Sequence, residues 1–153
     1  MAYRVFISYS TNDFPIVEHV RRLLTSPEVD VFIAEYSVSP SQVLDEKVLA
    51  AIKSCDLFVL LWSRNSMASE WVPQEIGVAR GVDKTILPIV LEDGLNLPAF
   101  IRDLKYLAAY RNPAESYLWL QQHILSRAQK QQQTSALVLL GIGAALLLLL
   151  RQR

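Results

Sequence analysis

The chain predicts an α/β domain over residues 1–128: a flavodoxin-like, doubly wound sheet of four or five parallel strands flanked by helices. Three observations predict it. Short apolar runs rich in β-branched and aromatic residues recur at 3–9, 31–33, 57–62 and 85–90. Segments with a 3.6-residue apolar period lie between them, and strands alternating with helices pair in parallel through right-handed crossovers. Finally, an uncharged run at 135–150 stands apart from the alternation and predicts a C-terminal transmembrane helix.

Each element has its own signal. Residues 3–9 read as a strand buried on both faces, ending in Ser8-Tyr9-Ser10. Thr11-Asn12-Asp13 supplies cap residues for a helix whose apolar positions Phe14, Val17, Val20 and Leu24 keep helical spacing until Pro27. The second strand, 31–33, leads into a polar connection at 34–43 that holds Glu35 and Pro40 and exceeds the usual strand-to-helix length. It is either a functional loop or a surface excursion. Residues 44–54 predict a helix through Leu44, Val48, Ala51 and Ile52, with Asp45 and Glu46 suited to its first turn.

The run 57–62 is the most continuous and predicts the central strand, followed by a polar connection at 63–68. Ser69-Glu70-Trp71-Val72-Pro73-Gln74-Glu75 then opens a helix running to Val82. In the strand at 85–90, Pro88 argues for an edge or a strand end. Residues 97–103 predict a short helix, 106–109 a weak fifth strand, and 113–130 the last helix of the domain, with Pro113 in its first turn.

Beyond a polar junction at 129–134, the sixteen residues 135–150 carry no charge and are followed by a basic tail at 151–153. As a helix they span about 24 Å, slightly short of the ~30 Å hydrocarbon core unless the flanks snorkel. A buried core helix is the alternative, but a domain complete by residue 130 leaves little to bury it. The expectation is a single-pass C-terminal anchor with the domain in the cytoplasm, because a three-residue tail crosses a bilayer more easily than a folded domain. Gly141 and Ala145 form a small-xxx-small pair compatible with helix pairing.

Composition narrows the chemistry. The 15 basic and 15 acidic residues balance, and two of the basic ones, Arg151 and Arg153, lie past the apolar run; no basic patch points to nucleic acid. The lone Cys55 reads as a buried structural thiol in a reducing compartment. His19 and His123 are far apart on different helices, so no metal-ligand cluster is expected. Glycine-rich dinucleotide and triphosphate loops are absent from the sequence.

In a sheet of this kind, ligands bind beyond the carboxyl ends of the strands. Ser8-Tyr9-Ser10, Glu35, Ser63-Arg64 and the Trp71/Glu75 pair are expected to gather at that edge. Trp71 and Glu75, four apart, project from one helical face. With Pro73 at the first helical position, Glu75 falls in the first turn, where the helix N-terminus favours an anion. Either it serves the ligand or it simply complements the dipole. Trp71 covers a ring or joins the core, and Glu35 is a ribose partner or a solvated loop acid.

These residues resemble a family. Val5-Phe6-Ile7-Ser8-Tyr9-Ser10 is similar to the first box of Toll/interleukin-1 receptor (TIR) domains, and Phe32-Ile33-Ala34-Glu35-Tyr36-Ser37-Val38-Ser39-Pro40 to their second strand and BB loop. Ser69 to Ile76 resembles the Trp-x-x-x-Glu motif of NAD-cleaving members, and Ile86-Leu87-Pro88-Ile89-Val90 their fourth strand. Together they cover residues 3 to about 125 and look closest to prokaryotic TIR proteins. The resemblance implies an NAD+ nucleohydrolase or cyclase, with NAD+ as substrate rather than cofactor, acting in immune or stress signalling through self-assembly. An adaptor that only assembles is the alternative job. It implies Glu75 as catalytic residue, with Phe6, Ser8, Tyr9, Ser10, Glu35 and Trp71 around the substrate. Two departures stand out: Ser10-Thr11 occupies positions that are basic in certain animal members, and Pro40 is followed by Ser41 rather than glycine.

Overall fold

The computed structural model describes residues 1–34 and 44–151. The long loop expected to carry Glu35, Pro40 and Ser41 therefore lies, past Ala34, outside the described residues, as do the last two residues of the basic tail.

Five strands, β1 (Tyr3–Ser8), β2 (Val29–Ile33), β3 (Leu57–Trp62), β4 (Ile86–Val90) and β5 (Leu107–Ala108), form one sheet. Its order is β2-β1-β3-β4-β5 and every pairing is parallel. The doubly wound expectation holds. β3 is buried along its whole length, as a central strand must be when helices cover both faces. Pro88 pairs with Leu60 of β3 in the interior of the sheet, but β5 joins β4 only from Ile89 onward, so on that side Pro88 interrupts no ladder.

Two apolar layers sandwich the sheet. On one face Val5, Ile7 and Tyr9 pack with Val17, Val20 and Leu24 of α1 (Phe14–Leu24) and with Leu120 and Ile124 of the last helix. On the other, Phe6, Phe58 and Leu60 pack with Val48 and Ile52 of α2 (Glu46–Ser54) and with Val72 and Ile76 of α4 (Trp71–Gly81). The period-two alternation along β1 divides its side chains between these layers. Ser8 shares the parity of Phe6 and so belongs to the α4 side.

The helices differ from expectation in instructive ways. Phe14 heads α1 but is 47% exposed, its ring tilted against Tyr9 at 6.4 Å rather than buried on the stripe. α2 starts two residues later than expected, because the Asp45 carboxylate accepts from the Lys47 amide at 2.9 Å and caps it there. Residues 63–68, expected as a polar connection, contain a one-turn helix, α3 (Arg64–Met67), closed by a reciprocal Ser63–Ser66 capping box. The short helix expected at 97–103 contracts to a 3-10 turn, Ala99–Ile101.

The last helix, α5, runs without interruption from Pro113 to Arg151, 39 residues. The polar junction at 129–134 is thus itself helical. Gln129-Lys130-Gln131-Gln132-Gln133 contains no glycine or proline, and glutamine and lysine are good helix formers. Ser116, Leu120, Ile124 and Ala128 bury the first half against the sheet. The most apolar stretch of α5 has a mean hydropathy of 2.1 and none of it is buried in the domain; by length and composition α5 suffices to cross a membrane.

Candidate functional site

The strand order reverses between β1 and β3, so the crevice of this sheet opens where those two strands end. The segments leaving them build its walls. After β1 the chain makes a 3-10 turn, Thr11–Asp13, capped by the Ser10 hydroxyl accepting from the Asn12 amide at 3.3 Å. After β3 it makes α3. Between them lies a pocket of about 200 Å³, lined by Tyr9, Ser10, Asn12, Asn65, Ser69 and Trp71 among others. A larger cavity of about 530 Å³ is lined by Arg4, Asp30, Phe32, Ala51 and Cys55, between β1, β2 and α2. It lacks both the strand-end position and the converging hydroxyls and amides, so the smaller pocket is the better site.

Glu75 follows the pocket-lining Trp71 by about one turn of α4. It falls in phase with Val72, Ile76 and Ala79, which places it on the buried stripe of α4, and it is 0% exposed. A buried carboxylate is costly unless hydrogen-bonded. The Ser8 hydroxyl, at the last residue of β1, donates to Glu75 Oε1 at 2.8 Å. The start of α4 corrects the expected position of the acid. The Ser69 hydroxyl accepts from the amides of Trp71 (3.2 Å) and Val72 (3.3 Å), so the helix begins at Trp71 and Pro73 is its third residue. Glu75 is then in the second turn, where the pull of the helix N-terminus has largely fallen away. The Ser8 hydroxyl is one partner that holds Glu75, and the dipole contributes little there.

The other expected residues divide. Tyr9 is 3% exposed, and its hydroxyl donates to the Ala34 carbonyl at 2.5 Å, tying the end of β1 to the end of β2. Ser10 and half-buried Trp71 both line the pocket. Phe6 is fully buried two residues before Ser8, its ring stacked between Phe32 at 5.5 Å and Phe58 at 5.2 Å. It belongs to the apolar core on the α4 side of the sheet rather than to the pocket lining. Glu35 lies outside the described residues.

Sequence reasoning missed a second carboxylate. Asp13, expected only as a helix cap, makes no cap bond. Its Oδ2 accepts from the Ser63 hydroxyl at 2.5 Å and its Oδ1 from the Asn65 side-chain amide at 2.8 Å. Ser63 in turn accepts from the Ser66 amide, and Ser66 donates to the Leu61 carbonyl at 2.6 Å. The Arg64 amide donates to Glu92 Oε2 at 2.6 Å. This network fastens the turn after β1 to the helix after β3 and so fixes the width of the pocket. The only sequence signal was the serine-rich edge at residues 63–66. Among the described residues no group of three or more His, Cys, Asp or Glu side chains is arranged to hold a metal ion.

Comparison with known proteins agrees with the fold. The TIR domain of the Toll-related receptor TRR-2 from Hydra magnipapillata superposes with a TM-score of 0.58 at 17% identity, covering 82% of this chain and 97% of that one. The Clostridium botulinum CMP N-glycosidase BcmB gives 0.51 at 24% identity, over 68% of this chain and 87% of that one. The TIR domains of the activated Roq1 resistosome, which directly recognises the pathogen effector XopQ, give 0.50 at 14%, over 84% of each. Among curated proteins none matches significantly. The family model described as TIR domain matches residues 5–125, most of the chain, and this protein belongs to the TIR domain family.

Proposed function

We propose that this protein is an NAD+ nucleohydrolase or cyclase, taking NAD+ as substrate and needing no resident cofactor. The observation that carries the reading is the Ser8–Glu75 pair, a carboxylate held at 2.8 Å by a hydroxyl at the strand-end crevice. Breaking the nicotinamide–ribose bond sends the bonding electrons to nicotinamide, which departs neutral and needs no general acid. The ribose left behind takes on oxocarbenium character, as in glycoside hydrolysis. Water addition then gives ADP-ribose and a proton; internal capture gives a cyclic isomer and a proton. A fixed carboxylate at Glu75 stabilises the developing cation or holds the ribose hydroxyls. The resemblance to a solved N-glycosidase of the same fold accords with this class of bond.

The pocket sets a limit on binding. At about 200 Å³ it is smaller than the roughly 300–1,000 Å³ that enclose drug-sized ligands, so it takes one ring of the dinucleotide against Trp71 and Ser10. The rest of NAD+ lies against surfaces supplied by a neighbouring copy in a self-assembled form, and Glu75 must be uncovered in that form, since it is 0% exposed here. That burial also favours a second reading, in which the Ser8–Glu75 pair is structural and the chain is a non-catalytic assembly module. In either case residues 135–150 act as a single-pass anchor with the TIR domain in the cytoplasm, and the setting is prokaryotic immune or stress signalling.

The test compares assembled wild-type protein with Glu75→Ala, following nicotinamide release from NAD+. Release by the wild type alone is the expected result. No release from demonstrably assembled wild type would establish the assembly module. For the anchor, a chain lacking residues 134–153 is expected to leave membranes with its fold intact; one that unfolds would mean the tail belongs to the core.

A further inference from the structure

α5 leaves the domain from a defined place. His19 of α1 meets Tyr117 of α5 edge-on at 5.4 Å, and the Gln121 side chain donates to the Leu23 carbonyl at 2.9 Å. Both pairs are separated by the same number of residues, so the two helices run side by side in the same direction. α1 departs from the carboxyl end of β1 and returns to the start of β2, and α5 therefore also runs from the site edge of the sheet to the opposite pole.

At that pole α5 is fastened. The Gln131 amide donates to the carbonyls of Met1 at 3.3 Å and Ala2 at 3.0 Å, and Gln132 donates to Met1 at 2.7 Å, just ahead of β1. Ser135 follows directly in the same unbroken helix. From Pro113 to Gln131 the axis advances roughly 27 Å. A helix clamped at its exit and continuous into its apolar half is a strut rather than a flexible tether.

On this basis, and resting on the anchor reading above, we infer that the pole formed by the starts of the strands is the surface that meets the phospholipid headgroups, and that the site edge faces away from the bilayer. Lys53 at the end of α2 and Val82 just past α4, both exposed, sit on that pole, whereas Met67 of α3 is exposed at the site edge. The crevice then opens to soluble nucleotide. Copies in one membrane hold their sites at one height, and their mutual contacts come from the flanks of the domain.

The experiment uses the full chain with Cys55→Ala and one dye, placed at Lys53→Cys, Val82→Cys or Met67→Cys, in phosphatidylcholine and phosphatidylglycerol vesicles bearing a headgroup-linked acceptor. Several-fold stronger energy transfer at residues 53 and 82 than at 67 is expected. Equal transfer at all three, or the strongest at 67, overturns the orientation while leaving the anchor standing. Failure of the protein to float with vesicles overturns the anchor and the orientation together. Gln133→Pro, which breaks the helix at the exit, is expected to erase most of the difference; an undiminished difference would overturn the strut.

Discussion

Two carboxylates sit within the same strand-end edge, and their surroundings are opposite in kind. Asp13 is enclosed by side-chain donors from α3 and its flank, with both oxygens engaged across the crevice. Glu75 is set among the apolar residues of α4 and meets the Ser8 hydroxyl at the end of β1. The first arrangement closes a gap between two segments; the second places an acid on the buried stripe of a helix. A carboxylate on an apolar stripe is the kind of local conflict that functional sites retain; on the proposed reading Glu75 is the residue that reacts, whereas Asp13 holds the walls.

The contrast makes graded predictions. Glu75→Gln, close to isosteric, is expected to lower nicotinamide release by assembled protein by roughly 10²- to 10³-fold, the usual loss when an electrostatic stabiliser is removed. Circular dichroism of the same sample should stay native; a collapsed spectrum would move Glu75 into the structural class. Asp13→Ala is expected to act on stability first. Removing an acceptor shared by a buried hydroxyl and an amide costs roughly 2–4 kcal/mol, measurable as a lower urea midpoint. An unchanged midpoint would mean the crevice walls are held by packing alone.

Ser8→Ala removes the donor to Glu75 and is expected to cost about 1–2 kcal/mol, with a loss of activity smaller than that of Glu75→Gln. Equal losses of activity would make Ser8 a full partner in the chemistry. The smallest effect concerns Cys55, at the other pole, where burial pushes the thiol up to about 11. At pH 8 roughly one molecule in a thousand carries the thiolate. Maleimide is therefore expected to label native protein far more slowly than urea-unfolded protein, and equal rates would show that the α2 side of the sheet opens readily.

Much of this was legible in the residues. The parallel sheet followed from apolar runs alternating with helical periods, whereas the burial of Glu75 was not foreseen, although its phase with Val72, Ile76 and Ala79 carries that signal. Its place in the second helical turn was not foreseen either, because the hydroxyl of Ser69 draws the helix start back to Trp71. Asp13 was misread for a related reason. A cap residue and a cross-link look identical until the partner is known, and Ser63 is 50 residues away. Phe14 kept the helical period yet emerged half-exposed beside Tyr9, since a helix end projects past the sheet that covers its middle.

Periodicity and composition are local properties, so the chain alone was enough to specify strands, helices, their alternation and the uncharged run at 135–150. Which groups meet is a property of strand order. Placing β1 beside β3 brings Ser8 against Glu75, 67 residues on, and Asp13 against Ser63. The same order sends α5 back past β1 to the far pole, so the apolar run leaves from the side opposite the site. No local pattern encodes that direction, because it arises only when crossovers of one hand stack the elements on a shared sheet.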